Sequence, residues 1–205
     1  MIEIKASVLF EVRRKSPIGL LILMSITMPI AFNAWSAQLN NFVVEAANFT
    51  GVEIGILQSL REVPGFLAFT TVFVLLILRE QTFAVLSLAL LGLGVAMTGF
   101  FPTEYGLYFT TVIMSIGFHY FEAVKQSLSL QWLKKEEAPQ ILGRLIAIGS
   151  VTSLTVYSLL WFFIEVFQAS FLINFLVSGG ICLGLAIFMG MYFPSFEEKS
   201  QQNKS

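Results

Sequence analysis

The sequence predicts an all-α membrane protein with six transmembrane helices, and three observations indicate this class. Of its 205 residues, 56% are hydrophobic and 12% are charged, with a mean hydropathy of +0.79. Soluble domains carry about 25% charged residues. Six apolar runs reach the length of about 20 residues that a membrane-spanning helix needs. The basic residues also gather in alternate connectors, which is the distribution that orients membrane proteins.

Short polar connectors separate the predicted spans into one bundle over residues 17–193. The first apolar run follows the basic stretch RRKSP and is longer than a signal-peptide core, so we expect it to be retained. A segment over residues 1–16 precedes the bundle, and a polar tail over residues 194–205 follows it. The six predicted spans, in order, cover residues 17–43, 53–78, 82–101, 105–132, 141–165 and 169–193.

The basic residues predict that both termini are cytoplasmic. Ten of the twelve Lys and Arg residues, all but Arg61 and Lys125, lie before span 1, between spans 2 and 3, between spans 4 and 5 or in the first turn of span 5 (Arg144), or after span 6. These places share one side of the membrane if the chain crosses six times. The charged residues at the other side, Glu45, Glu53, Glu104 and Glu165, are all acidic. This positive-inside pattern predicts a multi-pass protein whose expected location is the bacterial inner (plasma) membrane.

Span 4 carries ionisable side chains within an otherwise apolar helix. His119 lies midway between the flanking charges Glu104 and Lys134, so we expect it near the bilayer centre. The polar residues of this span recur every three or four positions, in one stripe about 80° wide at about 100° per residue, with Lys125 at its edge. This stripe must meet protein or water rather than lipid. Its members are Tyr108, Thr111, Ser115, His119, Glu122, Gln126 and Ser129.

Span 2 repeats the pattern in the stretch QSLREVPG. Arg61 and Glu62 lie near its middle, and Gln58 joins their face at helical spacing. Pro64 and Gly65 follow directly and predict a kink, because proline cannot donate the helical hydrogen bond.

Span 1 has a polar stripe without charges, which includes Asn33. Small and weakly polar residues of this kind commonly hold membrane helices together. The neighbouring Trp35 is interpreted as an anchor at the membrane interface. Span 5 offers Thr152 and Thr155, whereas spans 3 and 6 are poorer in polar residues. The glycines of GLGVAMTG in span 3 predict close helix packing rather than a phosphate-binding loop.

The buried charges have a structural and a functional interpretation. Glu122 would pair with Lys125 or Arg61 in a packed bundle, although such a pair contributes little stability because desolvation offsets its attraction. Each charge at mid-depth costs at least about 2.5–3.5 kcal/mol. Five ionisable groups in two spans therefore favour a pathway for solute or protons. The candidate pathway residues are Asn33, Gln58, Arg61, Glu62, His119, Glu122, Lys125 and Gln126.

Several classes of chemistry are not expected. The single His119 and the single Cys182 are too few for bis-His haem, zinc or iron–sulfur ligation, so we predict no metal and no cofactor. The chain has no Asp, no G-x-S-x-G and no G-x-x-x-x-G-K, which argues against an intramembrane protease, a nucleotide hydrolase or another enzyme. No basic block indicates nucleic-acid binding.

The pattern resembles the N-terminal six-helix half of a major facilitator superfamily (MFS) transporter. The segment TGVEIGILQSLREVPGFL looks like the second helix of that family, and QWLKKEEAPQILGRLIAIGS looks like its basic connector into the fifth. The resemblance implies two inverted three-helix repeats, with helices 1, 2, 4 and 5 at a central cavity. The chain lacks the Gly and Asp of the family's usual loop between helices 2 and 3, where it reads LLILREQTFA.

The resemblance implies a secondary active transporter half that moves a small solute by alternating access, with proton coupling. Glu62 and Glu122 would carry protons, His119 would relay them, and Arg61 and Lys125 would balance the charge or hold an anionic group. The expected partners are the lipid bilayer, the solute and a second six-helix half, which is a covalent continuation, a second copy or another subunit. The alternative is a non-transporting six-span scaffold or regulatory subunit; a channel is a third, less favoured class.

Overall fold

A computed structural model describes residues 11–197, and every element of these residues is helical. Residues 1–10 and 198–205 of the predicted terminal segments lie outside the described part. They include three of the basic residues used for the predicted orientation, Lys5, Lys199 and Lys204. Within the described part, the six helices of 16 or more residues are α1 (Pro17–Ala47), α2 (Gly51–Phe66), α3 (Glu80–Thr98), α4 (Glu104–Trp132), α5 (Ala138–Phe167) and α6 (Phe171–Tyr192).

Local sequence signals place most of the helix ends. Side-chain oxygens cap the free backbone N–H groups at the start of four helices, which stabilises each end. The capping residues are Ser16, Thr50, Thr103 and Ser170. At the opposite ends of α1 and α5, Asn48 and Gln168 adopt the left-handed conformation with φ of 55° and 49°, which stops the helix.

Four of the helices, α1, α3, α5 and α6, are long and apolar enough to cross a membrane. This arrangement and the composition fit a membrane protein. Helix α2 has only 16 residues, and α4 has 29 residues but carries Glu122 and Lys125 within its length. The predicted count of six spans therefore requires that α2 and α4 cross the membrane as well.

The predicted span over residues 53–78 is divided rather than continuous. Helix α2 ends at Phe66, and a 3-10 turn (Leu67–Thr70) and a four-residue helical turn (Thr71–Val74) continue its path. Pro64 lies two residues before this end, at the place where the sequence predicts a kink. Proline removes one backbone donor and crowds the preceding turn, which weakens the hydrogen-bond ladder there, and the regular helix ends two residues later.

Helix α3 packs between α4 and α6, and its glycines permit the close approach. A Cβ on Gly92 would lie 2.8 Å from the carbonyl oxygen of Gly179 in α6, and one on Gly94 would lie 2.5 Å from the backbone nitrogen of Met114 in α4. No side chain tolerates such contacts with backbone atoms. The packing role predicted for the glycines of GLGVAMTG is therefore confirmed.

Helix α1 packs against α5 and α6, and α2 packs against α4. A buried hydrogen bond of 2.9 Å, from the Asn174 amide to Gln38 Oε1, joins α6 to α1. Trp35 is fully buried, so its interpretation as an interfacial anchor is wrong. The indole lies beside Phe32 within the bundle, in a helix that contacts α3, α4, α5 and α6.

The segment after α6 folds back onto the start of α3. The side chain of Gln81 donates to the carbonyl oxygen of Pro194 at 2.9 Å and accepts from the backbone N–H of Phe196 at 2.9 Å. Arg79 donates to Ser195 at 2.8 Å. The first part of the predicted tail is therefore held against the bundle.

Candidate functional site

The structure divides the eight predicted pathway residues into two groups, and each group includes residues of α4. The first group lines a cleft between α1, α4 and α5, and consists of Asn33, Glu122, Lys125 and Gln126. The second group lies where α2 packs on α4. Arg61, Glu62 and His119 interact there, and we call these three residues the α2–α4 cluster. Gln58 lies one helical turn before Glu62, and its buried Oε1 has no hydrogen-bond partner.

The polar stripe of α4 divides because α2 covers only part of it. Ser115 donates a hydrogen bond to the carbonyl oxygen of Arg61, and His119 contacts the position of Gly65. Helix α2 then ends at Phe66. The following stripe residues, from Glu122 to Ser129, therefore meet the cleft instead of a helix.

The cleft has a volume of about 550 Å³ and contains one acidic and one basic side chain. Lys125 Nζ lies 4.0 Å from Glu122 Oε1. A charge-assisted hydrogen bond is about 2.7–2.9 Å long, so this pair is loosely associated. The Glu122 side chain is 44% exposed and that of Lys125 is 20% exposed. Both charges remain able to meet a further group.

The rest of the cleft wall is partly polar and partly aromatic. Asn33 donates to Ser153 Oγ at 2.7 Å, which joins α1 to α5. Ser25 is 2% exposed, and its hydroxyl has no hydrogen-bond partner. Phe32 and Phe118 stack with ring centroids 4.1 Å apart, and they form an apolar part of the wall.

Sequence reasoning expected the fifth helix at the cavity but did not name the α5 residues that line the cleft. Thr152 and Thr155 donate their hydroxyl protons to their own helix backbone, at Ile148 and Val151. The α5 residues in the cleft recur at helical spacing, and this spacing is the signal that would have found them. They are Leu142, Leu145, Ile146, Gly149, Ser150 and Ser153.

The α2–α4 cluster is an ion pair with an imidazole beside it. Arg61 donates to Glu62 Oε1 through Nε at 3.0 Å and through Nη2 at 2.7 Å. His119 Nε2 lies 3.9 Å from Glu62 Oε2. The imidazole ring lies over Gly65, where an added Cβ would be 2.9 Å from His119 Cε1. The glycine thus allows the ring to approach the carboxylate of the neighbouring helix.

We expect Gly65→Ala to displace the imidazole of His119 from Glu62, because the new methyl group would overlap the ring. His119 is the only histidine of the chain, so one imidazole signal in the NMR spectrum reports its surroundings. That signal should shift clearly in Gly65→Ala. The matched control is Gly55→Ala in the same helix, where an added Cβ has no neighbour within 4 Å. An unchanged signal in Gly65→Ala, or an equal shift in both variants, would contradict this packing.

Comparison with the models of protein families, with curated proteins and with solved structures gives no match to this chain.

Proposed function

We propose that this chain is one half of a secondary active transporter, similar to the N-terminal half of an MFS protein, that moves a small solute by alternating access. The observation that carries the proposal is the cleft between α1, α4 and α5, which contains Glu122 and Lys125 in a predominantly apolar bundle. Charges at such a depth are costly and mark solute or ion pathways in membrane proteins. In this proposal all six helices cross the bilayer and both termini are cytoplasmic.

The helix packing is consistent with an inverted repeat. The closely packed pairs include α2 with α4 and α1 with α5, α3 with α4 and α1 with α6, and α3 with α6. Exchanging the first three helices with the last three turns each of the first four pairs into another of them and leaves the pair of α3 and α6 unchanged. A pseudo-two-fold axis within the membrane plane relates such repeats in many transporters. The pattern supports two three-helix repeats.

The two groups of charges have separate roles in this proposal. Glu122 and Lys125 contact the solute in the cleft, where the space for a ligand lies. Glu62 and His119 carry the coupling proton, because imidazole and carboxylate groups both bind and release protons and these two side chains lie beside each other. Arg61 balances the charge of Glu62. Because α4 contributes residues to both groups, a movement of this helix would affect them together.

A second six-helix half would complete the cavity. Helix α5 packs on α1, yet only 11% of an apolar 18-residue stretch of this helix is buried within the chain. Exposed aromatic and aliphatic side chains continue along it, among them Tyr157 and Trp161. We propose that the second half, whether a continuation, a second copy or another subunit, faces the cleft beside this helix.

The test of alternating access is thiol labelling of Ser150→Cys, a cleft position on α5. The only native cysteine, Cys182, is fully buried and gives little background. A membrane-impermeant maleimide is added from either side to oriented membrane vesicles of the expressing cells, with neighbouring proteins intact. We expect labelling from both sides, and solute-dependent protection. The control, Gly184→Cys, lies on the exposed face of α6 and should stay unlabelled, because maleimide needs a hydrated thiolate.

Labelling from the same one side under every condition tested would contradict alternating access. That outcome, or no labelling at all, favours the non-transporting scaffold or regulatory subunit.

A further inference from the structure

We infer that the cleft between α1, α4 and α5 binds a small zwitterion, specifically an α-amino acid with an apolar side chain. This inference rests on the proposed function and specifies the class of its solute. It is carried by three features of the cleft, namely its charge balance, its unsatisfied polar groups and its aromatic wall.

The first feature is the size and net charge of the cleft. Its volume of about 550 Å³ lies within the range of about 300–1,000 Å³ that is typical of small-molecule sites. Of the described residues in its wall, Glu122 and Lys125 are the two with ionised side chains, so the wall has no net charge. A ligand with net charge would bring an unbalanced charge against the partly apolar wall of the cleft, which is costly. A net-neutral ligand avoids that cost.

The second feature is that the polar groups of the cleft are incompletely satisfied. Glu122 and Lys125 approach only to 4.0 Å, and neither side chain has a hydrogen bond to another described residue. The hydroxyl of Ser25 is buried in the same wall without a partner. Buried polar groups such as the Ser25 hydroxyl are normally hydrogen-bonded, and the two loosely associated charges beside it can each bind a polar group, so the cleft suits a polar ligand. Its ammonium group would meet Glu122, and its carboxylate would meet Lys125.

The third feature is the apolar surface beside the charges. The stacked rings of Phe32 and Phe118 line the cleft together with Leu145 and Ile146. Apolar surface of a ligand gains free energy when it leaves water for such a wall. An amino acid with an aliphatic side chain places its two charges close together and its apolar group on one side, which matches this arrangement.

The experiment measures binding of tritiated leucine to the full chain, purified in mild detergent with any protein that accompanies it. Two competitors each lack one charge but keep the same apolar group. They are 3-methylbutylamine, which lacks the carboxylate, and 4-methylpentanoate, which lacks the ammonium group. We expect saturable leucine binding, and competition by either analogue that is at least tenfold weaker.

Variants then assign the two charges. We expect Glu122→Gln and Lys125→Gln each to weaken leucine binding at least tenfold. The matched controls are Glu104→Gln and Lys134→Gln, which change exposed charges beside the same helix outside the cleft and should bind leucine normally. Absence of saturable leucine binding, or equal competition by the amine or the acid, would overturn the inference. The competition uses the unaltered chain, so it decides the matter even where a variant does not fold.

Failure of this inference and failure of the proposed function give different results. Leucine binding without labelling of Ser150→Cys from both sides would retain the zwitterion site and remove the transport cycle. Labelling from both sides without leucine binding would retain the transport cycle and remove this solute class.

Discussion

Replacing Gly179 with alanine should destabilise the bundle strongly, because the added methyl group has no space between α6 and α3. The atoms it would meet belong to the backbone of Ala96 and Gly92, which cannot rotate away as a side chain can. Overpacking of a close interface costs about 1–3 kcal/mol, and sometimes more. We expect a clear fall in the midpoint of thermal unfolding.

The chain supplies both the reporter and the control for this measurement. Cys182 is fully buried at the same interface, where its thiol donates to the carbonyl oxygen of Leu88 at 3.4 Å. A dye that fluoresces on reaction with thiols therefore reports unfolding. The matched control is Gly180→Ala, where the new Cβ has no neighbour within 4 Å. It should be neutral or more stable by up to about 1 kcal/mol, since alanine favours helix over glycine. Equal midpoints for the two variants would contradict the close approach of α3 and α6.

Replacing Glu122 and Glu62 with glutamine should affect transport in two different ways. We expect Glu122→Gln to abolish both leucine exchange and leucine uptake driven by a pH gradient, since the solute loses its partner in the cleft. Glu62→Gln should retain exchange at near the normal rate and lose accumulation driven by the gradient, since it lies beside His119 and outside the cleft. The measurement is uptake of labelled leucine into sealed vesicles, with and without the gradient.

The pattern of the two variants separates solute binding from proton coupling. Glu104→Gln, at the exposed start of α4, serves as the control and should behave as the unaltered chain. Normal gradient-driven uptake in Glu122→Gln would remove this residue from the mechanism. Loss of exchange in Glu62→Gln would show that the two carboxylates do not act separately.

The sequence alone was sufficient for the class of the fold and for the polar face of α4. Apolar length and composition predict helices, and the spacing of Ser115, His119, Glu122 and Gln126 places them in one stripe. Capping residues such as Thr50 and Ser170 mark helix starts for reasons that are local to the chain. These properties depend on composition and on residues close together in the chain, so they can be derived without knowing how distant segments pack.

Only the tertiary structure decided which partner each part of the stripe meets. Helix α2 ends at Phe66, so it covers His119 but leaves Glu122 to the cleft. The α5 wall of the cleft, including Ser150, follows from the packing of α5 on α1. The physical reason is that helical periodicity sets the direction of a side chain about its own axis. Close packing between distant segments, as at Gly92 and Gly179, sets what that side chain faces.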